Sequence, residues 1–391
     1  MAIKEWTGSI QGADDSELGI PRTSQVIYHC TAPDADRVNG LVFVIPDFNE
    51  DADGVEFRTM RAHLAERYGL LAVTVEYHCY RSRLADGARL ILSDDEFAAL
   101  CKVCASQLVA LSERSQLMRA LQQLPAAYEF EFHIEPPNGD YQNFGVMQAL
   151  DHLAVLHHLR QVEKVDFDSR NVVAMGSGHG GYLAQLIAKF APNAIRAVLA
   201  VNSATYLPPS YLFGESTSKG APYYYNVGKI RIFPLIHTKW QRDQSAPAGY
   251  SEARAQIRNT ALGSHIASVA AGLEAASPAR CAYRLSTTAQ CSAQIAGDAQ
   301  NQITLLAQYG FNVEHVTDPS DAAALASTPA VLAIFDACYP RFPTLAERPN
   351  EWQSSVAYLS GELLYCFDYD EFGCLATQMP IEKAKKPLRY Y

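Results

Sequence analysis

The stretch NVVAMGSGHGGYLAQLIAKF, Asn171 to Phe190, constrains the fold more than any other part of the chain. A β-branched apolar run enters a glycine-rich turn, and an amphipathic helix leaves it. That is the outline of a nucleophile elbow, Gly-x-Ser-x-Gly, in which a serine stands on a strained turn between strand and helix. The frame here reads Gly176-Ser177-Gly178-His179-Gly180, so glycine holds the nucleophile's position. Glycine adopts the strained turn without steric cost, which preserves the architecture and removes the hydroxyl. A phosphate loop is a poorer reading, because the lysine and its spacing are missing. A dinucleotide fingerprint fails too, for want of a ribose-binding acid about 20 residues on.

Around this turn the sequence alternates strands and helices. GLVFVIPDF (Gly40 to Phe48) and LLAVTVEYH (Leu70 to His78) are buried strands flanking the helix EFRTMRAHLAERYG. YQNFGVMQALDHLAVLHHL is a helix leading into the elbow strand, and AIRAVLAVNS is the next strand. RCAYRLST, a helix from Asp298 to Tyr309 and FNVEHVTD complete the sheet. Such alternation predicts a mostly parallel α/β sheet with helices on both faces. One domain spans residues 1–391, with a helical insertion at 93–135 and a lid at 204–276 rich in Tyr, Pro and Gly. A β-hairpin and tail, 354–391, close the chain, with a turn at Ser360-Gly361.

Composition limits the partners. With 48% hydrophobic and 19% charged residues the chain of 391 can bury a large core, and a net charge of -10 argues against nucleic acid as a partner. No apolar run reaches the ~18 residues of a membrane span or resembles a signal peptide. Nine cysteines without framework spacing fit a reducing compartment, so the protein reads as soluble and cytoplasmic. Cys101 and Cys104 fall on the apolar face of a helix and read as core residues rather than redox or zinc ligands. The sequence calls for neither metal nor cofactor.

Catalysis at an elbow requires nucleophile, acid and histidine in that order. After the strand Arg280 to Thr287 the loop reads TTAQCSAQIAGD, with no carboxylate before Asp298, and no histidine follows His315. The loop that should give an oxyanion N–H reads PDFNED, and Pro46 has none. A displaced nucleophile, Ser177 with His179 or Asp140, is the rescue the sequence offers. Its neighbouring position would aim the hydroxyl away from the cleft.

PPNGDYQNFGVMQALDHL (136–153), VEYHCYRSR (75–83), HGGYLAQLIAKFAP (179–192) and HTKWQRD (237–243) resemble a bacterial family of unknown function with an α/β-hydrolase fold, DUF2920. The resemblance covers most of the chain from about Ser16. Members are often found with flagellin-glycosylation or surface-glycan genes. The resemblance implies a serine-hydrolase-like sheet, with acyl groups of glycans as candidate substrates. Where the family pattern has its serine, acid and histidine, this sequence has Gly178, Gln290 (or Ala289) and Thr328.

What remains is a candidate pocket of His78, Arg81, Asp140, Tyr141, Asn143, Ser177 and His179 at the C-terminal edge of the sheet. The plainer reading makes Asp140 a helix cap and His78 and Arg81 structural partners. The lid aromatics Tyr206, Tyr211, Phe213 and Tyr223 to Tyr225 either stack on sugars or close the lid on itself. The sequence thus predicts a degenerate hydrolase that works by binding a protein, such as an active paralogue, or a small acylated sugar. The alternatives are an esterase or deacylase, and a structural subunit docking through its C-terminal hairpin.

Overall fold

The computed structural model describes residues 2–47, 50–81, 86–91, 128–207, 212–213, 225–227, 230–236, 250–260, 281–287, 293–308, 310–317, 328–343, 352–361 and 363–380. The chain forms two compact units, one of Met1–Tyr80, Asn143–Tyr206 and Gln244–Tyr391 and a second of Arg81–Gln142 and Leu207–Asp243.

The first unit is built on eight strands: β1 (Ile3–Gln11), β2 (Gln25–Pro33), β3 (Leu41–Ile45), β4 (Leu71–Glu76), β5 (Val172–Ser177), β6 (Ala197–Val201), β7 (Ala282–Thr287) and β8 (Asn312–Thr317). Their order is β1-β2-β4-β3-β5-β6-β7-β8. Strand β2 runs antiparallel to both its neighbours, and every other pairing is parallel. This is the α/β-hydrolase arrangement. The helices are α1 (Val55–Tyr68), α2 (Val146–Gln161), α3 (Gly178–Phe190), α4 (Tyr250–Ile257), α5 (Ala293–Gln308) and α6 (Thr328–Cys338). None of them is long and apolar enough to cross a membrane.

Both faces of the sheet are covered, which is why strands such as β3, LVFVI, are apolar throughout and wholly buried. Val42, Val44, Val173 and Met175 pack with Phe57, Met60 and Leu64 of α1 and with Ile334 and Phe335 of α6. On the other face Phe43 meets the edge of His152 on α2, with ring centres 5.4 Å apart.

Helix α3 is buried from His179 to Phe190, far more than one sheet face can account for. Helix α2 packs along it, and its last turn meets β9 (Ser354–Ser360) and β10 (Leu363–Asp370) of a C-terminal sheet completed by β11 (Gly373–Pro380). Phe190 stacks on Phe367 with ring centres 3.9 Å apart, and the Tyr358 hydroxyl donates to the Lys189 carbonyl. The Tyr365 hydroxyl donates to Glu17, which is also paired with the buried Arg258. The predicted hairpin is therefore two strands of a three-stranded meander turning at Gly361 (φ 56°). Its Tyr358, Tyr365 and Phe367 are buried, whereas Phe372 and Leu375 are exposed.

Three sequence expectations change. Residues 128–135, placed in the helical insertion, form a strand: YEFEFHIE alternates with the period of two that a strand requires. Tyr128–Glu135 pairs in parallel with Ile230–Ile236 of the other insertion. With Arg89–Ile91 and Tyr225–Val227 they make one four-stranded sheet, so the two insertions share a unit. Helix α2 begins at Val146 rather than near Tyr141, and α5 begins at Ala293, before Asp298. Cys101 and Cys104, the helical segment 93–127, Tyr211, Tyr223, Tyr224 and the tail 381–391 lie outside the described residues.

Candidate functional site

Strands β3 and β5 are neighbours at the point where the sheet order changes direction, and their register places Ile45 opposite Gly176. In open α/β sheets ligands bind at such a switch point, beyond the carboxyl ends of the strands. Two residues past this pair stand Asp47 on one chain segment and Gly178 on the other, side by side.

Gly178 has φ 51°, the left-handed conformation of an elbow residue, and opens helix α3. A Cβ placed on it would lie 2.6 Å from both Cγ and Oδ1 of Asp47, with Oδ2 nearer still. The Asp47 carboxylate thus fills the volume that a nucleophile's side chain would occupy. Its Oδ1 accepts the backbone N–H of His179 at 2.7 Å. That N–H belongs to the residue after the nucleophile position, the one that helps form the oxyanion hole of an elbow enzyme. It is also an N–H of a helical first turn, without an intrahelical acceptor, and Ser177 at the N-cap gives no side-chain hydrogen bond. A carboxylate at a helix N-terminus is favoured by the dipole and by the charge-assisted bond. The other glycines have a different reason: a Cβ on Gly176 or Gly180 would strike the Ile45 carbonyl.

The described residues of the Asp47 loop are tied down at several points. The Tyr77 hydroxyl donates to the Pro46 carbonyl (3.2 Å) and the Tyr80 hydroxyl to the Glu50 carbonyl (2.5 Å). Asp47 N–H donates to Glu50 Oε2 at 2.7 Å, and Arg61 and Thr74 both donate to the Ala52 carbonyl at 2.8 Å.

Beneath the elbow lies a buried histidine cluster. Gln148 Nε2 donates to the His78 carbonyl at 3.0 Å, which leaves Oε1 to accept from His179 Nε2 at 2.8 Å. His152 Nδ1 donates to the Gln148 carbonyl at 2.8 Å, and its Nε2 has no hydrogen-bond partner among the described residues. Burial holds both rings neutral: desolvation, with His152 close by, pulls His179 down to about 3, and desolvation pulls His152 down to about 4. His179 and His78 are thus core residues, 0% and 2% exposed, and His78 N–H is fixed by Asp151 Oδ2 at 2.6 Å.

The remaining predicted pocket residues divide between the units. Asn143 is buried and caps α2, its Oδ1 accepting Met147 N–H at 2.8 Å, so the cap predicted for Asp140 falls to Asn143. Arg81, Asp140 and Tyr141 belong to the second unit, where Arg81 is exposed and Tyr141 buried. Gln290 lies outside the described residues, and Thr328 starts helix α6. His315, the last histidine, sits on β8 with Nε2 3.1 Å from Thr287 Oγ1. It is three strands from β5, roughly 14 Å at about 4.8 Å per strand, so it does not reach the elbow. Among the described residues no cluster of three or more His, Cys, Asp or Glu is placed to hold a metal. Asp47 is the residue that sequence reasoning missed.

Two measurements follow from this geometry. Gly178→Ala is expected to lose about 2 kcal/mol, from left-handed strain and the clash with Asp47. In an Asp47→Gly background the same change should cost about 1 kcal/mol less, read as a coupling energy in urea unfolding. Strict additivity would show that the carboxylate does not fill the space. The two neutral histidines make stability depend on pH. Unfolded, each ring protonates near 6.5; folded, near 4 (His152) and 3 (His179), so the unfolded state binds more protons in between. Stability is complete above pH 6.5 and falls as the pH drops below it, by about 1.4 kcal/mol per pH unit for each ring. Urea midpoints between about pH 7.5 and 4.5 check this; a flat profile would contradict the neutral cluster.

The sequence of residues 7–316 matches the family described as "Protein of unknown function (DUF2920)". No curated protein matches it. Among solved structures the chain is similar to the esterase Est22 with p-nitrophenol, at TM-score 0.44 and 11% identity over 81% of this chain and 72% of that one. It is similar as well to fungal esterases from Rhizomucor miehei (TM-score 0.44, 12% identity, 87% and 85% covered). A thermostable esterase from Pseudomonas putida gives TM-score 0.43 and 14% identity over 86% and 81%. With most of its length matched and the elbow in place at the end of β5, the chain belongs to the DUF2920 family.

Proposed function

We propose that this protein is a catalytically idle α/β-hydrolase-fold protein that acts by binding, its ligand a protein partner or a small acylated sugar. The observation that carries the reading is the Asp47 carboxylate on the His179 N–H, beside Gly178. It supplies a charge where a nucleophile would stand and occupies a donor that acyl transfer needs for the developing oxyanion. The strapping of the loop by Tyr77, Tyr80, Arg61 and Thr74 argues for a fixed plug rather than a flap. The sequence adds the missing carboxylate after β7 and the missing histidine after β8, without which a serine hydroxyl stays protonated and unreactive.

Strained backbone supports binding at the same edge. Cys79 (φ 59°), just beyond β4, and Asn202 (φ 48°), just beyond β6, are both left-handed and flank the elbow. Such residues cost of order 1–3 kcal/mol each and persist where the surroundings hold them, often around ligand sites. The net charge of -10 favours a partner other than nucleic acid. A reducing, cytoplasmic setting fits the six described cysteines, all of them free.

Fluorophosphonate labelling and p-nitrophenyl acetate turnover, on the natural protein and on Gly178→Ser, test the reading. Neither form should label or turn over ester above buffer. Labelling mapped to Ser177 or to residue 178, with turnover, would overturn the proposal and make the chain an esterase.

A further inference from the structure

At the opposite ends of the strands from the elbow lies a cavity of about 620 Å3, within the range of small-ligand pockets. Asn39 precedes β3, Asn171 precedes β5 and Arg196 precedes β6, and all three line it. Arg196 is only 7% exposed, and the hydrogen bonds of its guanidinium all go to neutral acceptors; the nearby charge is the Asp168 carboxylate, to which it is not hydrogen-bonded. Nε and Nη2 donate to the Pro343 carbonyl at 3.1 and 2.7 Å, and Nη1 donates to Asn171 Oδ1 at 2.6 Å. The cation lies 5.7 Å from the ring centres of both Tyr339 and Phe342, which form an aromatic wall.

A buried charge is normally matched by an opposite one. The carboxylate in the lining, Asp168, is already committed: Arg170 holds both its oxygens, at 3.0 and 2.8 Å. A second guanidinium of the lining, Arg37, is 65% exposed and only loosely paired, 3.8 Å from Asp166. The Tyr339 hydroxyl accepts from Asn171 Nδ2 at 2.9 Å and has its own proton to give. The cavity therefore combines two guanidinium groups, a phenol donor and aromatic faces. Guanidinium groups pair most strongly with carboxylates and phosphates.

We propose that this cavity binds a small organic anion, its oxyanion head met by Arg37 and Arg196 and its planar apolar body lying against Tyr339 and Phe342. Calorimetric titration at constant ionic strength tests it, with phenyl phosphate and benzoate as probes and phenol and inorganic phosphate as controls. At least one probe should bind saturably with Kd below about 1 mM, and each control at least tenfold more weakly. Arg37→Glu, an exposed change that should leave Tm within a degree or so of the parent, should weaken the probe at least tenfold. Failure of both probes to bind, or binding that Arg37→Glu leaves unchanged, would overturn the proposal. The cavity and the elbow lie at opposite ends of the strands, so either can fail its test without touching the other.

Discussion

A helix that springs directly from a parallel strand points its first N–H groups at the sheet's carboxyl edge, where they must find acceptors. In this protein the His179 N–H is met by the carboxylate of Asp47, from the adjacent strand's loop. The contact closes β3 onto the elbow and allows only glycine at residue 178 while Asp47 stays in place. Because the donor is also the oxyanion donor of an elbow enzyme, the interaction that completes the helix is the one that closes the site. On the proposed reading, structure and loss of chemistry have one cause.

The surrounding packing reinforces that arrangement. Helix α3 is buried between the sheet and α2, and its last turn is held by Phe190 stacked on Phe367 and by Lys189 donating to the Ile257 and Asn259 carbonyls at 2.8 Å. Burial holds the Lys189 amine well down, at about 7. A helix fixed on its outer side leaves its N-terminus little freedom to recede from Asp47. The neutral His152–Gln148–His179 cluster fixes the inner side. The meander thus holds the end of α3 far from the elbow, and its buried tyrosines and Phe367 are unavailable to a docking partner.

Much of the fold was legible because each element carried its own signal. The apolar run of β5, the glycines of the turn and the apolar face of α3 announce strand, turn and helix within twenty residues. The alternation in YEFEFHIE was equally plain and points to the strand found there, although its neighbourhood reads as helical. Asn143, rather than Asp140, capped α2 because the chain enters that helix through Phe144 and Gly145, both at positive φ. Asp47 was not legible at all. Its partner is 132 residues away, and only the β3–β5 register brings them together. The same holds for Arg196, whose hydrogen bonds to neutral carbonyl oxygens alone are a property of packing, not of composition.

The central claim is that the His179 amide is engaged by a carboxylate in the resting protein. Amide hydrogen exchange at His179, in the natural protein and in Asp47→Ala, tests it most directly. A first-turn amide has no helical partner, so protection there must come from Asp47. Exchange at least a hundredfold slower than in an unfolded peptide is expected, lost in Asp47→Ala while the amides of the later turns of α3 keep their protection. A His179 amide that exchanges freely in the natural protein, or keeps its protection without Asp47, would contradict it.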